Sequence, residues 1–275
     1  MAHLELVPKP HVSSFRKLSI GSWETAYDPT VYGTLTVRMD RALAYMDAFQ
    51  AKTGVRLTVT HLVLKALAEA LRRCPDANAV LRFGRIYLRQ RVTVSALVAR
   101  PGSGGTRLVP VRVVDADRKG LRDLAAELDA ALREDTGAQR GWRVVRRVPS
   151  PLLHLFTRCV SFLAVTLNLD LSRFGLPRDA FGAAVVTDVG ALGLDTAYLP
   201  LVPFTRVPVF LAPGAVRRAA VVDARERVVV GSVMSINASI DHRFIDGYHA
   251  GLLAGTIREC LEDPVTAFGP PDAGA

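Results

Sequence analysis

Runs of period-two alternation and runs of helical periodicity follow one another from Thr30 to Glu262, and no linker-like stretch interrupts residues 16–264. That continuity is the strongest constraint on the chain. Strands and helices interleaved this closely bury their apolar faces against one another in one α/β domain with a mixed sheet. TVYGTLTVR over residues 30–38 alternates and reads as a strand. Asp40 then caps a helix to about Lys52, with Leu43, Met46 and Phe49 on one face and Gly54 ending it. Thr58 or Thr60 caps a second helix to about Arg73, with Leu62, Leu64, Leu67 and Leu71 inward. Strands are predicted near 85–88, 92–99 and 108–114, with a glycine-rich turn at 101–105, and a helix near 121–133. Four more strand-like runs, at 183–187, 207–211, 216–222 and 228–238, lead to a last helix from Gly247 to Glu262.

This pattern divides the 275 residues into an extended N-terminal arm (1–15), one domain (16–265) and a flexible Gly/Pro/Ala-rich tail (266–275). With 49% hydrophobic and 22% charged residues the chain is globular, not disordered throughout. A core of this size needs neither disulfides nor a structural metal. Cys74, Cys159 and Cys260 are far apart and form no CxxC pattern, which points to a reducing, cytoplasmic setting. Cys159 and Cys260 fall on apolar helical faces and read as core. Lys and Arg number 35 against 26 Asp and Glu, a balance of +9 that favours anionic partners. Apart from Arg140, Arg143, Arg146 and Arg147, the arginines are scattered, and no aromatic ladder accompanies them. Nucleic acid is therefore not an expected partner.

Residues 151–169, PLLHLFTRCVSFLAVTLNL, are about as long as a membrane-spanning helix. His154, Thr157, Arg158, Ser161 and Asn168 nevertheless make one polar stripe, and an Arg near mid-span is costly in lipid. The segment reads as one amphipathic helix packed on the body, and membrane contact is not expected.

The residues richest in chemistry are Asp241-His242-Arg243-Phe244-Ile245-Asp246-Gly247, between a long β-run and a helix. A histidine at the end of a rigid strand, followed by a carboxylate and a glycine turn, can be held as a general base near neutral pH. The plainer alternative is a capping turn in which Asp246 or Gly247 starts the helix and His242 is incidental. His249, one turn into that helix, reads as a surface or packed residue. No metal set is formed, because His242 and His249 lack a Cys or Glu partner at ligand spacing.

The run SINASIDHRFIDGYHAGLLAGTIRECLEDP (235–264) resembles the C-terminus of the dihydrolipoamide acyltransferase catalytic domain of 2-oxoacid dehydrogenase complexes, related in fold to chloramphenicol acetyltransferase. Other pieces follow in family order: Arg16-Lys17; THLVLKALAEALRRCPDANAVL (60–81); the strand pair and helix of 92–125; and VVTDVGALGLDTAYLPLVPFTRVPVFLAPGAV (185–216). The resemblance covers about residues 12–265. It implies a chloramphenicol acetyltransferase-like two-layer α/β sandwich, a mixed sheet covered by helices.

It also implies an acyltransferase that moves an acyl group between coenzyme A and a dihydrolipoamide-like thiol. His242 would take the thiol proton, and Thr187, where the family usually has Ser, would donate to the oxyanion. Asp246 would orient the loop by pairing with an N-terminal Arg, for which Arg16 is the candidate and Lys17 and Arg38 compete. Gly247 supports the turn. The family's usual Asn after the hydroxyl is Asp188 here. Family trimers place the His of one subunit opposite the hydroxyl of its neighbour, so a homotrimer or a multiple of it is expected. No lipoyl or subunit-binding module occurs in these residues, which suggests a stand-alone acyltransferase or one that receives its lipoyl carrier from another chain. Two alternatives stay open on the sequence: transfer to an amine or hydroxyl acceptor, and a non-enzymatic assembly core on the same fold.

Overall fold

The longest strand organises the molecule. VVVGSVMSINASID alternates over fourteen residues, β10 (Val228–Asp241), and its length lets it pair with three partners. Its first half pairs with β9 (Arg217–Val222), and its second half pairs with β8 (Val209–Pro213) on one side and β2 (Thr30–Arg38) on the other. In this computed structural model, which describes residues 3–11, 29–102, 105–133 and 150–272, the sheet runs β2-β10-β8-β7-β5-β6. Here β5 is Thr93–Gly102, β6 is Gly105–Val114 and β7 is Ala184–Thr187. β7 is parallel to both its neighbours and the other pairs are antiparallel, so the sheet is mixed. A smaller antiparallel sheet joins β1 (Leu6–Pro8), β4 (Arg85–Arg89) and β3 (Ala79–Arg82).

Helices α1 (Asp40–Thr53), α2 (Val59–Arg73), α3 (Leu121–Arg133) and α5 (Gly247–Glu262) cover one face. α2 carries the densest apolar face, with Leu62, Leu64, Leu67 and Leu71 fully buried. Strand alternation divides the sheet's side chains between two cores. Val94, Ala96, Ala184, Val186, Val209 and Leu211 join the helices. Val185 and Phe210 point the other way and pack under the loop at Leu199, Leu201, Val202 and Val207. One face is thus helical, and among the described residues the other has this loop over its centre. α6 (Pro264–Phe268) seats Phe268 edge-on against Tyr45, so packed structure continues past residue 265.

Most predicted elements stand within two or three residues of their expected bounds, and several local readings change. Asp40 does not cap α1; it is the first helical residue, and its Oδ1 accepts the Ser232 amide of β10 at 2.8 Å. β3 is four residues long and carried no usable period. The helix expected over 151–169 is α4 (Ser150–Ser161) followed by a π turn, Phe162–Thr166, and it ends before Asn168. Asn168 adopts φ 59°, and its side chain holds both backbone groups of Leu4 in the N-terminal arm. The polar stripe also fails: Ser161 is buried and accepts from Arg206 Nε at 3.1 Å, while Leu152 and Leu155 are exposed. Cys159 is exposed, not core, whereas Cys74 and Cys260 are buried. Among the described residues no helix is long and apolar enough to cross a membrane. The Arg140–Arg147 cluster, Arg16 and Lys17 lie outside the described residues.

Candidate functional site

His242 follows the last residue of β10, where the Asp241 amide donates to Pro208 and the His242 amide to the Pro29 carbonyl at 2.8 Å. The ring is half-buried, and its Nδ1 lies 2.8 Å from the Ile245 carbonyl oxygen. A carbonyl only accepts, so Nδ1 carries the hydrogen and Nε2 holds the lone pair of the neutral ring. The short turn after the strand therefore selects the tautomer that a base needs. Phe244 and Ile245 are buried in the main core, and this anchors the turn from below.

Asp246 closes the turn as the N-cap of α5. Its Oδ1 accepts the amides of Tyr248 at 3.0 Å and His249 at 3.2 Å. The capping reading and the general-base reading are thus compatible: the cap fixes Ile245, and Ile245 fixes His242. His249 does more than pack. Its ring bridges Asp246 Oδ1 (2.6 Å, from Nδ1) and Asp76 Oδ2 (3.0 Å, from Nε2), and Asp76 also pairs with Lys9 of the N-terminal arm. Burial pushes the Asp76 carboxyl up, but Lys9 and His249 outweigh it and hold the group below its ordinary 3.8. The sequence signal for this bridge was a capping box with His in place of Glu at the third helical position. Arg38 is not the partner of Asp246, because it pairs with Asp40 at 3.8 Å and donates to Val222 O at the far end of β2. At Gly247 the backbone is not left-handed and an added Cβ would meet nothing within 4 Å, so the fold of one chain does not require glycine there.

Thr187 ends β7 and is buried, on the same side of the strand as Val185, away from the helices. The next residue is Asp188 in place of the expected Asn, and both its carboxylate oxygens are engaged. Asp188 Oδ2 accepts the Thr60 hydroxyl at 3.0 Å and Oδ1 accepts the Ala191 amide at 3.0 Å. A carboxylate there also suits the N-terminal turn of α2.

One chain does not bring His242 and Thr187 together. β10 pairs Ile240 with Val209, which puts His242 level with Val207. β7 pairs Val186 with Leu211, which puts Thr187 level with Ala212. The two are five residues apart along β8, about 16 Å at ~3.3 Å per residue, and β8 stands between their strands.

Asp241 and Arg243 flank His242 and form a bidentate ion pair (Nε–Oδ1 2.9 Å, Nη2–Oδ2 2.6 Å) with side chains 7% and 15% exposed.

The family model for the 2-oxoacid dehydrogenases acyltransferase (catalytic domain) matches residues 13–138 and 180–269, well over half of the chain. The chain belongs to this family. It is 25% identical over 271 residues to the dihydrolipoyllysine-residue acetyltransferase component of the Rhizobium meliloti pyruvate dehydrogenase complex, covering 95% of this chain and 51% of the relative. Across the first curated relatives it matches, the chain spans from 23% to 51% of their length. Among solved structures, the cubic core of the pyruvate dehydrogenase multienzyme complex superposes with TM-score 0.61 at 20% identity, covering 94% of this chain and 99% of that one. Chloramphenicol acetyltransferase superposes at 0.52 with 14% identity, covering 93% and 100%. The expected two-layer fold is therefore the fold observed. The family model leaves residues 139–179, with α4 and its π turn, unmatched.

Proposed function

We propose that this chain is an acyltransferase that exchanges an acyl group between coenzyme A and a dihydrolipoamide-like thiol presented by a separate carrier protein. The observation that carries the reading is the His242–Ile245 hydrogen bond, which leaves Nε2 as the basic nitrogen in the motif the family shares. Nε2 takes the thiol proton as sulfur attacks the thioester carbonyl. The tetrahedral oxyanion accepts a hydrogen bond from the Thr187 hydroxyl, a donor typically worth ~10²–10³ in rate. On collapse, the protonated His242 returns the proton to the departing thiolate.

The 16 Å offset supports a site shared between copies, with His242 of one facing Thr187 of the next, in a trimer or a multiple of it. The net charge of +9 favours the phosphates of coenzyme A. The three free cysteines fit a cytoplasmic setting.

The test is acyl transfer from a set of acyl-coenzyme A donors to dihydrolipoamide, amine and alcohol acceptors, with the mass measured by light scattering. His242→Ala is expected to lower the rate ~10²–10⁴-fold with the fold intact. A fully active monomer, or an unaffected His242→Ala, would overturn the reading.

A further inference from the structure

A cavity of about 980 Å³ opens beside Asp241 and Arg243, at the upper end of the size usual for ligand sites. One wall, Leu155, Phe162 and Leu163, comes from the unmatched segment. The facing wall is Leu201, Val202 and Phe204, on the loop leading to β8. All six side chains lie on α4, its π turn or the loop and none is drawn into the main helical core, and Leu155, Phe162, Leu163 and Phe204 are exposed.

The charged end of the cavity is not neutral. Among the described residues, Arg158, Arg206 and Arg243 line it with one carboxylate, Asp241, whose two oxygens are already engaged by Arg243. Arg206 is half-buried, with a positive φ of 56°. Its guanidinium donates to Ser161 Oγ, and among the described residues no carboxylate pairs with it. Burial, and then the neighbouring Arg243, pull its pKa below the ordinary 12.5. Asp241 attracts it but is engaged by Arg243, so a half-buried guanidinium with no paired carboxylate gains from an arriving anion. An apolar body with a cationic end selects an amphiphile of the opposite polarity.

We propose that this cavity binds a fatty-acyl-type ligand, its hydrocarbon chain between α4 and the 201–204 loop and its carboxylate or acyl oxygens on Arg206. As the acyl pocket of the reaction, it rests on the proposed function; as a fatty-acid site, it stands without it. One wall belongs to the segment the family model does not match, so the proposed ligand is read from residues outside the family's matched pattern.

The probe is dodecanoate below its micellar concentration, titrated calorimetrically into the full chain. Saturable binding is expected, with dodecanol at least tenfold weaker and each methylene removed from the acid costing ~threefold to fourfold. Arg206→Gln should weaken dodecanoate about tenfold and erase its advantage over dodecanol, while Arg206→Lys retains part of it. Leu163→Trp should block both ligands with the melting temperature and mass of the parent. Absence of saturable binding, or binding indifferent to Arg206→Gln and Leu163→Trp, would overturn the site. So would a Leu163→Asp variant that falls to monomers while binding dodecanoate as before, since the patch would then be a contact between copies. Transfer assays separate the two claims. Dodecanoate binding without acyl transfer refutes the proposed function and leaves the site. Transfer whose preference for long acyl chains disappears in Leu163→Trp makes the cavity the acyl pocket.

Discussion

Replacing Asp246 tests whether a helix cap controls the base. In Asp246→Ala the amides of Tyr248 and His249 lose their acceptor, and the His249 ring loses the Asp246 carboxylate while keeping Asp76 and the amide of residue 246. Loss of an N-cap costs ~1 kcal/mol, and loss of a carboxylate at the positive end of α5 adds ~0.5 kcal/mol. The sum of about 1.5 kcal/mol corresponds to roughly 3–6 °C in melting temperature for a domain of this size. Asp246→Asn keeps a capping oxygen and loses the charge alone, so its melt falls by about 1–2 °C. The catalytic effect should separate further. Without the cap the Ile245 peptide loses one of its anchors, although the side chain stays in the core, and its carbonyl shifts relative to the His242 ring; a small misplacement of this kind costs on the order of tenfold or more in kcat. Asp246→Asn should stay within about threefold of the parent. Thermal melts of both variants beside kcat and KM for acyl transfer provide the readout. Equal melts for Ala and Asn, or an unchanged kcat in Asp246→Ala, would refute the chain of cap, carbonyl and base.

Thr187→Val keeps shape and removes the hydroxyl, so kcat should fall ~10²–10³-fold with little change in melt, while Thr187→Ser retains most of the activity. Gly182→Ala should destabilise by on the order of 3 kcal/mol in denaturant titrations, because its φ is +70° and the new Cβ would lie 2.2 Å from Thr93 O. His61 accepts the Thr58 amide with Nδ1 at 2.9 Å, and burial holds both His61 and His3 below the ordinary 6.5. Their neutral forms are the folded ones, so stability is fully present above pH 6.5 and is lost as pH falls through the lower folded values. Unfolding titrations from pH 7 to 5 should show that loss, and His61→Asn should reduce it.

The order of strands and helices was legible because each element carried its own period: β2 alternates over nine residues, and α2 places four leucines on one stripe. The place of α4 within the fold was not, since its apolar residues fit a packed helix and an exposed wall equally well. Only the chain's return at 201–207 decides which leucines face the cavity. The motif around His242 was visible in one dimension, but its key contact was not. A backbone carbonyl such as that of Ile245 has no letter of its own. The same holds for the bridge from His249 to Asp76, which spans 173 positions. Cys159 was misplaced because helical spacing assigns a side chain to a stripe without saying which stripe is covered.

The separation of His242 and Thr187 along β8 has a genetic consequence. In an assembly sharing sites between copies, each chain contributes one half to each of two sites. A His242→Ala chain mixed with a Thr187→Val chain would regain activity, since some junctions receive both intact halves. A chain carrying both substitutions would instead silence a junction on either side of itself. Such an allele would be dominant over the wild type, and a heterozygous cell would lose more activity than its share of defective protein.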